Sequence, residues 1–230
     1  CYTKCWRWIH LHFKKYMNIN IKRLFYHFKC LGFSFFVPLI IVNIVIPTLN
    51  ILVFLKSGIT EELYTNILQY TQWLLPFFSV WWVLFVLREY IEPQGNELLY
   101  VCKNKCKLTD SIYIFITYIM NIFLLYFAYF LLFSNMRYEF IKILSVCIFY
   151  FGLTYFFCFL TKSITLTLML TILYTLCSII FSSRLTFPLY YSLEIITLPI
   201  FIANYLPLCL IGILLLSLGA VLNLNKLRFV

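Results

Sequence analysis

Two uncharged runs separated by one lysine decide the fold: ILSVCIFYFGLTYFFCFLT at 143–161, then Lys162, then SITLTLMLTILYTLCSIIFSS at 163–183. Each matches the roughly 18 to 20 apolar residues that a helix needs to cross a hydrocarbon core of about 30 Å, at about 1.5 Å per residue. Outward from them the pattern recurs, since no Asp, Glu, Lys or Arg occurs in 30–55, 63–87, 111–136 or 195–225. A hydrophobic content of 63%, a charged content of 11% and a mean hydropathy of +0.94 do not describe a soluble domain. A bilayer core offers the backbone no water to bond, so helices are the expected solution. The expected fold class is therefore all-α: a polytopic membrane protein with six transmembrane helices, at about 31–55, 66–87, 111–133, 141–161, 164–183 and 203–223. Residues 1–29 form a basic amphipathic segment ahead of a single transmembrane domain, 30–230.

The net charge of +10 follows from topology and calls for no nucleic-acid partner. Lys4, Arg7, Lys14, Lys15, Lys22, Arg23 and Lys29 precede the first span with no acid among them, which places the N-terminus in the cytoplasm. Six alternating spans then gather fourteen basic residues on the inner face. Lys56, Arg137, Lys142 and Arg184 are left outside. Both termini are expected to be cytoplasmic, in a multi-pass protein of the cell membrane. Trp6, Ile9, Phe13 and Tyr16 recur at helical spacing among the basic residues, as suits a helix lying on membrane lipids. Residues 184–204 are apolar but broken by Arg184, Pro188, Glu194 and Pro199, the pattern of a re-entrant segment in the outer leaflet before the last span. The nine cysteines are scattered, and Cys1/Cys5 and Cys102/Cys106 offer too few ligands for a zinc site. No metal is expected.

All three histidines (His10, His12, His27) lie in the N-terminal segment, and no span has an acidic residue in its middle. Carriers driven by protons depend on such groups. Neither an HExxH, nor a G-x-S-x-G, nor a GxxxxGK[ST] motif is present. No catalytic residue is expected, and any energy the chain uses arrives from another polypeptide.

Residues 88–110, REYIEPQGNELLYVCKNKCKLTD, offer the route for that energy. Four of the eight acidic residues fall here, in a connector between two apolar runs. Pro93 and the acids beside it suit the first turn of a short helix. Leu98, Leu99 and Val101 give that helix an apolar side. A solvated hairpin whose basic half obeys the positive-inside rule explains the composition equally well. Glu89, Glu92, Gly95, Glu97, Leu98 and Leu99 stand in an order similar to the cytoplasmic loop after the second span of type 2 ABC exporter permeases. Asn96 and Cys102 depart from that family's usual residues. The element order also resembles that family: a basic interfacial helix, Pro38 in the first span, six spans and a re-entrant segment before the last. The resemblance implies that Glu89, Glu92, Gly95, Glu97, Leu98, Leu99 and Val101 form a coupling helix docked on an ABC ATPase subunit. It implies further that ATP and magnesium bind in that partner rather than here, and that two permease subunits pair around the route.

The resemblance also implies that the second and fifth spans face the cargo. The sequence independently gives these spans polar lines: Gln69, Gln72 and Trp73 on the second, and Thr167, Thr171 and Thr175 at four-residue spacing on the fifth. Threonines so spaced equally suit hydroxyls bonded to the carbonyl four residues earlier. The expected function is an exporter permease for an amphipathic cargo, a peptide or a lipid-like molecule. Rival readings are a six-span capture subunit of an importer, a lipid-modifying membrane enzyme and a structural assembly subunit.

Overall fold

A computed structural model describes Phe25, Phe28, Lys29 and residues 31–91, 106–133, 136–181, 190–192 and 196–225. Among these residues every regular element is helical. Five helices are long and apolar enough to cross a membrane: α1 (Gly32–Ser57), α2 (Glu61–Ile91), α3 (Lys107–Leu132), α4 (Met136–Thr161) and α6 (Leu198–Asn223). Between the last two lies α5 (Ile164–Ile180), shorter at 17 residues. At about 1.5 Å per residue it reaches about 25 Å, just short of a hydrocarbon core. This is the architecture of a multi-pass membrane protein.

Several helices start about five residues before the expected spans: α2 at Glu61 rather than 66, α4 at Met136 rather than 141, and α6 at Leu198 rather than 203. Charge ends an apolar run without ending a helix. Thr60 caps α2, its hydroxyl accepting from the Leu63 N–H at 3.5 Å, and Glu61 and Glu62 sit in the first turn where the helix dipole favours acids. Pro199 does not interrupt α6, because it occupies the first turn, where a missing N–H costs nothing. Of the expected re-entrant segment, 184–189 and 193–195 lie outside the described residues. Tyr190–Ser192, Ile196 and Thr197 are non-helical.

Consecutive helices alternate in direction. The α1–α2 and α3–α4 turns share one end, termed upper here, where Asn50 donates to the Tyr129 hydroxyl at 2.6 Å and the Tyr64 ring meets Phe133. At the lower end the Trp81 and Trp82 indoles donate to the Ser34 and Phe35 carbonyls and pin the start of α1 to α2. Phe28 packs on Phe35 and Trp82 there, while the remainder of 1–24 lies outside the described residues. The α4–α5 turn is also at the lower end. Lys162 takes a φ of 54° in it, and Thr161 and Ser163 bond the turn to itself.

α4 is the most buried span and forms the axis of the bundle, packed on α2, α3, α5 and α6. Its contact with α6 is main chain on main chain. A Cβ on Gly152 would sit 1.9 Å from the Gly212 carbonyl oxygen, and one on Gly212 would sit 2.6 Å from the Phe149 Cα. Gly219 repeats the approach one level lower, against Tyr155 and Phe156. Lipid tails are as apolar as leucine, so helices in a bilayer gain little from burying leucine and much from fitting closely.

Prolines interrupt the hydrogen-bond ladders of several helices. In α1 a π-helical turn, Ile41–Val45, precedes Pro47, and in α6 a π-helical turn, Phe201–Tyr205, precedes Pro207. Each turn shifts the hydrogen-bond register just ahead of a residue that has no N–H to offer. In α1, Asn43 donates to the Leu39 carbonyl and to Asn121 on α3, both at 3.1 Å. Pro76 breaks α2 at Val80, where the Ser79 hydroxyl bonds the Pro76 carbonyl and Tyr118 of α3 donates to the Leu75 carbonyl.

The glycine contact gives the first prediction. Gly152→Leu forces α4 and α6 apart and lowers stability by at least the ~1–3 kcal/mol of ordinary overpacking. Thermal unfolding in detergent measures this, and an unchanged transition would rule out the close approach.

Candidate functional site

The richest polar chemistry lies at the upper end, around the backbone of Ser192. Gln72 of α2 grips that peptide from both sides: its Nε2 donates to the Ser192 carbonyl at 2.8 Å, and its Oε1 accepts from the Ser192 N–H at 3.0 Å. Lys142 of α4 donates to the same carbonyl at 2.9 Å. The Lys142 ammonium is 3.6 Å from Glu139, one turn earlier on α4, and 5.2 Å from the centre of the Tyr205 ring of α6. Glu139 and Lys142 are 1% and 0% exposed. Glu139 also approaches the Ile196 backbone. Helices α2, α4 and α6 thus converge on one short piece of non-helical chain.

A second group of hydroxyls extends the network to α5. Tyr205 donates to the Tyr190 carbonyl at 3.1 Å, and the Tyr190 and Tyr150 hydroxyls are 3.3 Å apart. Tyr150 in turn lies 2.7 Å from the Thr175 hydroxyl. Burial holds the Tyr190 phenol well above its ordinary range, so it acts as a neutral hydrogen-bonding group.

The pathway residues expected from sequence fall into two sets. Gln72 is buried in the Ser192 grip, Gln69 is half-buried on α2, and Trp73 stacks obliquely 6.4 Å from the Tyr191 ring. Thr167, Thr171 and Thr175 share one buried face of α5, as their spacing dictates. Their hydroxyls bond α5's own turns, reaching the Ser163, Leu168 and Thr171 carbonyls at 2.8–2.9 Å. The Thr175 hydroxyl also bonds another helix, through Tyr150.

At the lower end α2 and α3 flank the charged connector. Tyr90 donates to Asp110 at 3.0 Å, and the Lys107 ammonium lies 5.7 Å from the centre of the Tyr90 ring. Lys107 and Asp110 are buried, whereas Glu89 is half-buried at the end of α2. Of the expected coupling residues, Glu92, Gly95, Glu97, Leu98, Leu99 and Val101 lie outside the described residues. Among the described residues no three His, Cys, Asp or Glu side chains gather as a metal site. Cys147, Cys177 and Cys209 carry free thiols. No protein-family model, curated protein or solved structure matches this chain.

Sequence reasoning missed Glu139, Lys142, Tyr150, Tyr190, Ser192 and Tyr205. One signal was available for the first two. Glu139 and Lys142 stand three residues apart at the mouth of an apolar run, the spacing that lets opposite charges meet on one helix face. The expected span, 141–161, opens between them, so Glu139 falls in the preceding turn and Lys142 at the mouth of the span.

The buried pair makes a double-mutant prediction. Lys142→Met leaves Glu139 buried without its counter-charge and costs ~3–5 kcal/mol. Adding Glu139→Leu removes the stranded carboxylate and recovers most of that loss. Thermal melts of the two singles and the double measure the coupling, and additive losses would show that the charges do not interact.

Proposed function

We propose that the chain is the transmembrane permease subunit of an ABC exporter, spanning the cell membrane six times with both termini in the cytoplasm. The upper end is then the outer end. Of the described basic residues, Lys29, Arg88, Lys107 and Lys162 belong to the lower end and Lys56, Arg137 and Lys142 to the upper, and six more basic residues precede Lys29 in the sequence, which supports this orientation.

The observation that carries the reading is the clasp at the lower end. Tyr90–Asp110, with Lys107 against the same ring, joins α2 to α3 on either side of the connector 92–105. A push on the connector therefore reaches both helices together. α2 carries that push toward Gln72, which holds the upper network. A separate ATPase subunit docked on Glu89, Glu92, Gly95, Glu97, Leu98, Leu99 and Val101 supplies the push and binds the ATP and magnesium. A second permease subunit completes the route, and the cargo is an amphipathic peptide or lipid-like molecule. Gln69, Gln72, Trp73, Thr167, Thr171 and Thr175 lie on the two helices assigned to the route. The packed state of Gln72, Trp73 and Thr175 corresponds to a route closed at its outer end.

Co-purification in mild detergent is the test of class, and recovery of an ATPase subunit with the chain is expected. Charge reversal by Glu92→Lys with Glu97→Lys is expected to lower permease-stimulated ATP hydrolysis about tenfold, the cost of roughly 1.4 kcal/mol in docking. Full stimulation by that variant would remove the connector from the coupling role.

A further inference from the structure

Tyr190–Ser192 is a piece of non-helical chain at the upper end, buried at Tyr190 and half-buried at Tyr191 and Ser192, and held by side chains from two flanks. Gln72 and Lys142 hold Ser192, while Tyr205 and Tyr150 hold Tyr190. Bonds of this kind can be exchanged for water one at a time. The Gly152–Gly212 contact cannot, because two backbones meet there. The two attachments of the upper end thus differ in kind, one exchangeable and one fixed.

Beneath the segment lies the Glu139–Lys142 pair. Both residues are on α4 and stay together whether or not Ser192 is present. With Ser192 in place, both ions are cut off from water, at 1% and 0% exposure. Their hydration is regained when it leaves. The desolvation of two buried ions is of the same order as the few hydrogen bonds that hold the segment down, and opposite in sign. Such a balance makes a two-state element.

We infer that Tyr190–Ser192 is a releasable strap across the upper end of the bundle, pinned by Gln72 and Lys142 and driven open by hydration of the Glu139–Lys142 pair. Its role as the outward closure of a transport route rests on the function proposed above. Its release is a property of this chain alone.

Hydrogen exchange of the full chain in nanodiscs, read by mass spectrometry, tests it. Peptides containing Ser192 report the strap, and peptides containing Gly152 and Gly212 report the fixed contact. Gln72→Leu removes both main-chain bonds and is expected to speed exchange at Ser192 by about tenfold to thirtyfold, as the loss of two net hydrogen bonds implies. Lys142→Met combined with Glu139→Leu removes the opening force and is expected to slow it about tenfold, although one bond to Ser192 is lost. The glycine peptides stay unchanged in both. Equal or faster exchange in the paired variant overturns the inference. So does unchanged exchange in Gln72→Leu, or a parallel rise at the glycine peptides. Should Gln72→Leu not fold, the paired variant decides alone: slower exchange supports the strap, and any other result overturns it. No ATPase enters the experiment, so a confirmed strap with no recovered ATPase subunit retains the strap and removes the exporter reading. The reverse result does the opposite.

Discussion

A peptide group in hydrocarbon that finds no partner costs several kcal/mol, and most of the structure can be understood as a set of answers to that cost. Helices answer it over most of the chain. Where a helix cannot, side chains take over at identifiable places. Tyr118 and Ser79 bond the carbonyls around the Pro76 break, Asn43 bonds the carbonyl at the α1 π-helical turn, and Trp81 and Trp82 hold the carbonyls at the start of α1. Ser192 is the most demanding case, because its peptide lies among helices without belonging to one. Gln72 is matched to it, being a side chain that donates and accepts in the geometry of a peptide.

The same constraint explains why much of the fold was legible from sequence and the site only partly so. Long uncharged runs mark helices because an unpaired backbone cannot cross a bilayer, and Lys162, between Thr161 and Ser163, marks a turn because the runs on either side are so apolar. Helix ends were less legible, since Glu61, Glu62 and Glu139 are charged and still helical. The spacing of Thr167, Thr171 and Thr175 correctly put them on one face. Spacing could not say which carbonyls their hydroxyls would bond. Gln72 stood out as a polar residue in a span, but its partner lies 120 residues away and is a backbone amide. No side chain at position 192 announces such a contact. A glycine such as Gly152 is equally silent until its neighbour across the interface is known.

Rigidity and exchangeability are therefore distributed unevenly. α4 carries the glycine contact with α6, the buried ion pair and the Tyr150 hydroxyl, so it is shared by the packing and by the polar network. The lower clasp between Tyr90 and Asp110 belongs to α2 and α3, and α2 also reaches the upper network through Gln72. α2 thus links the two ends, and α4 is the helix on which the packing and the polar network converge.

The π-helical turns in α1 and α6 bear on how the molecule sits among lipids of different thickness. These two helices are the least buried of the long ones, and each runs 26 residues. At about 1.5 Å per residue that is about 39 Å, longer than a hydrocarbon core of about 30 Å. A straight helix of that length must tilt as a whole, and tilting α6 would drag on its close contacts with α4, as tilting α1 would on its packing against α2. A proline preceded by a register shift lets each helix lean in its own part instead. The rim can then follow a thinner or thicker bilayer while the axis keeps its packing, so hydrophobic mismatch is absorbed at the periphery.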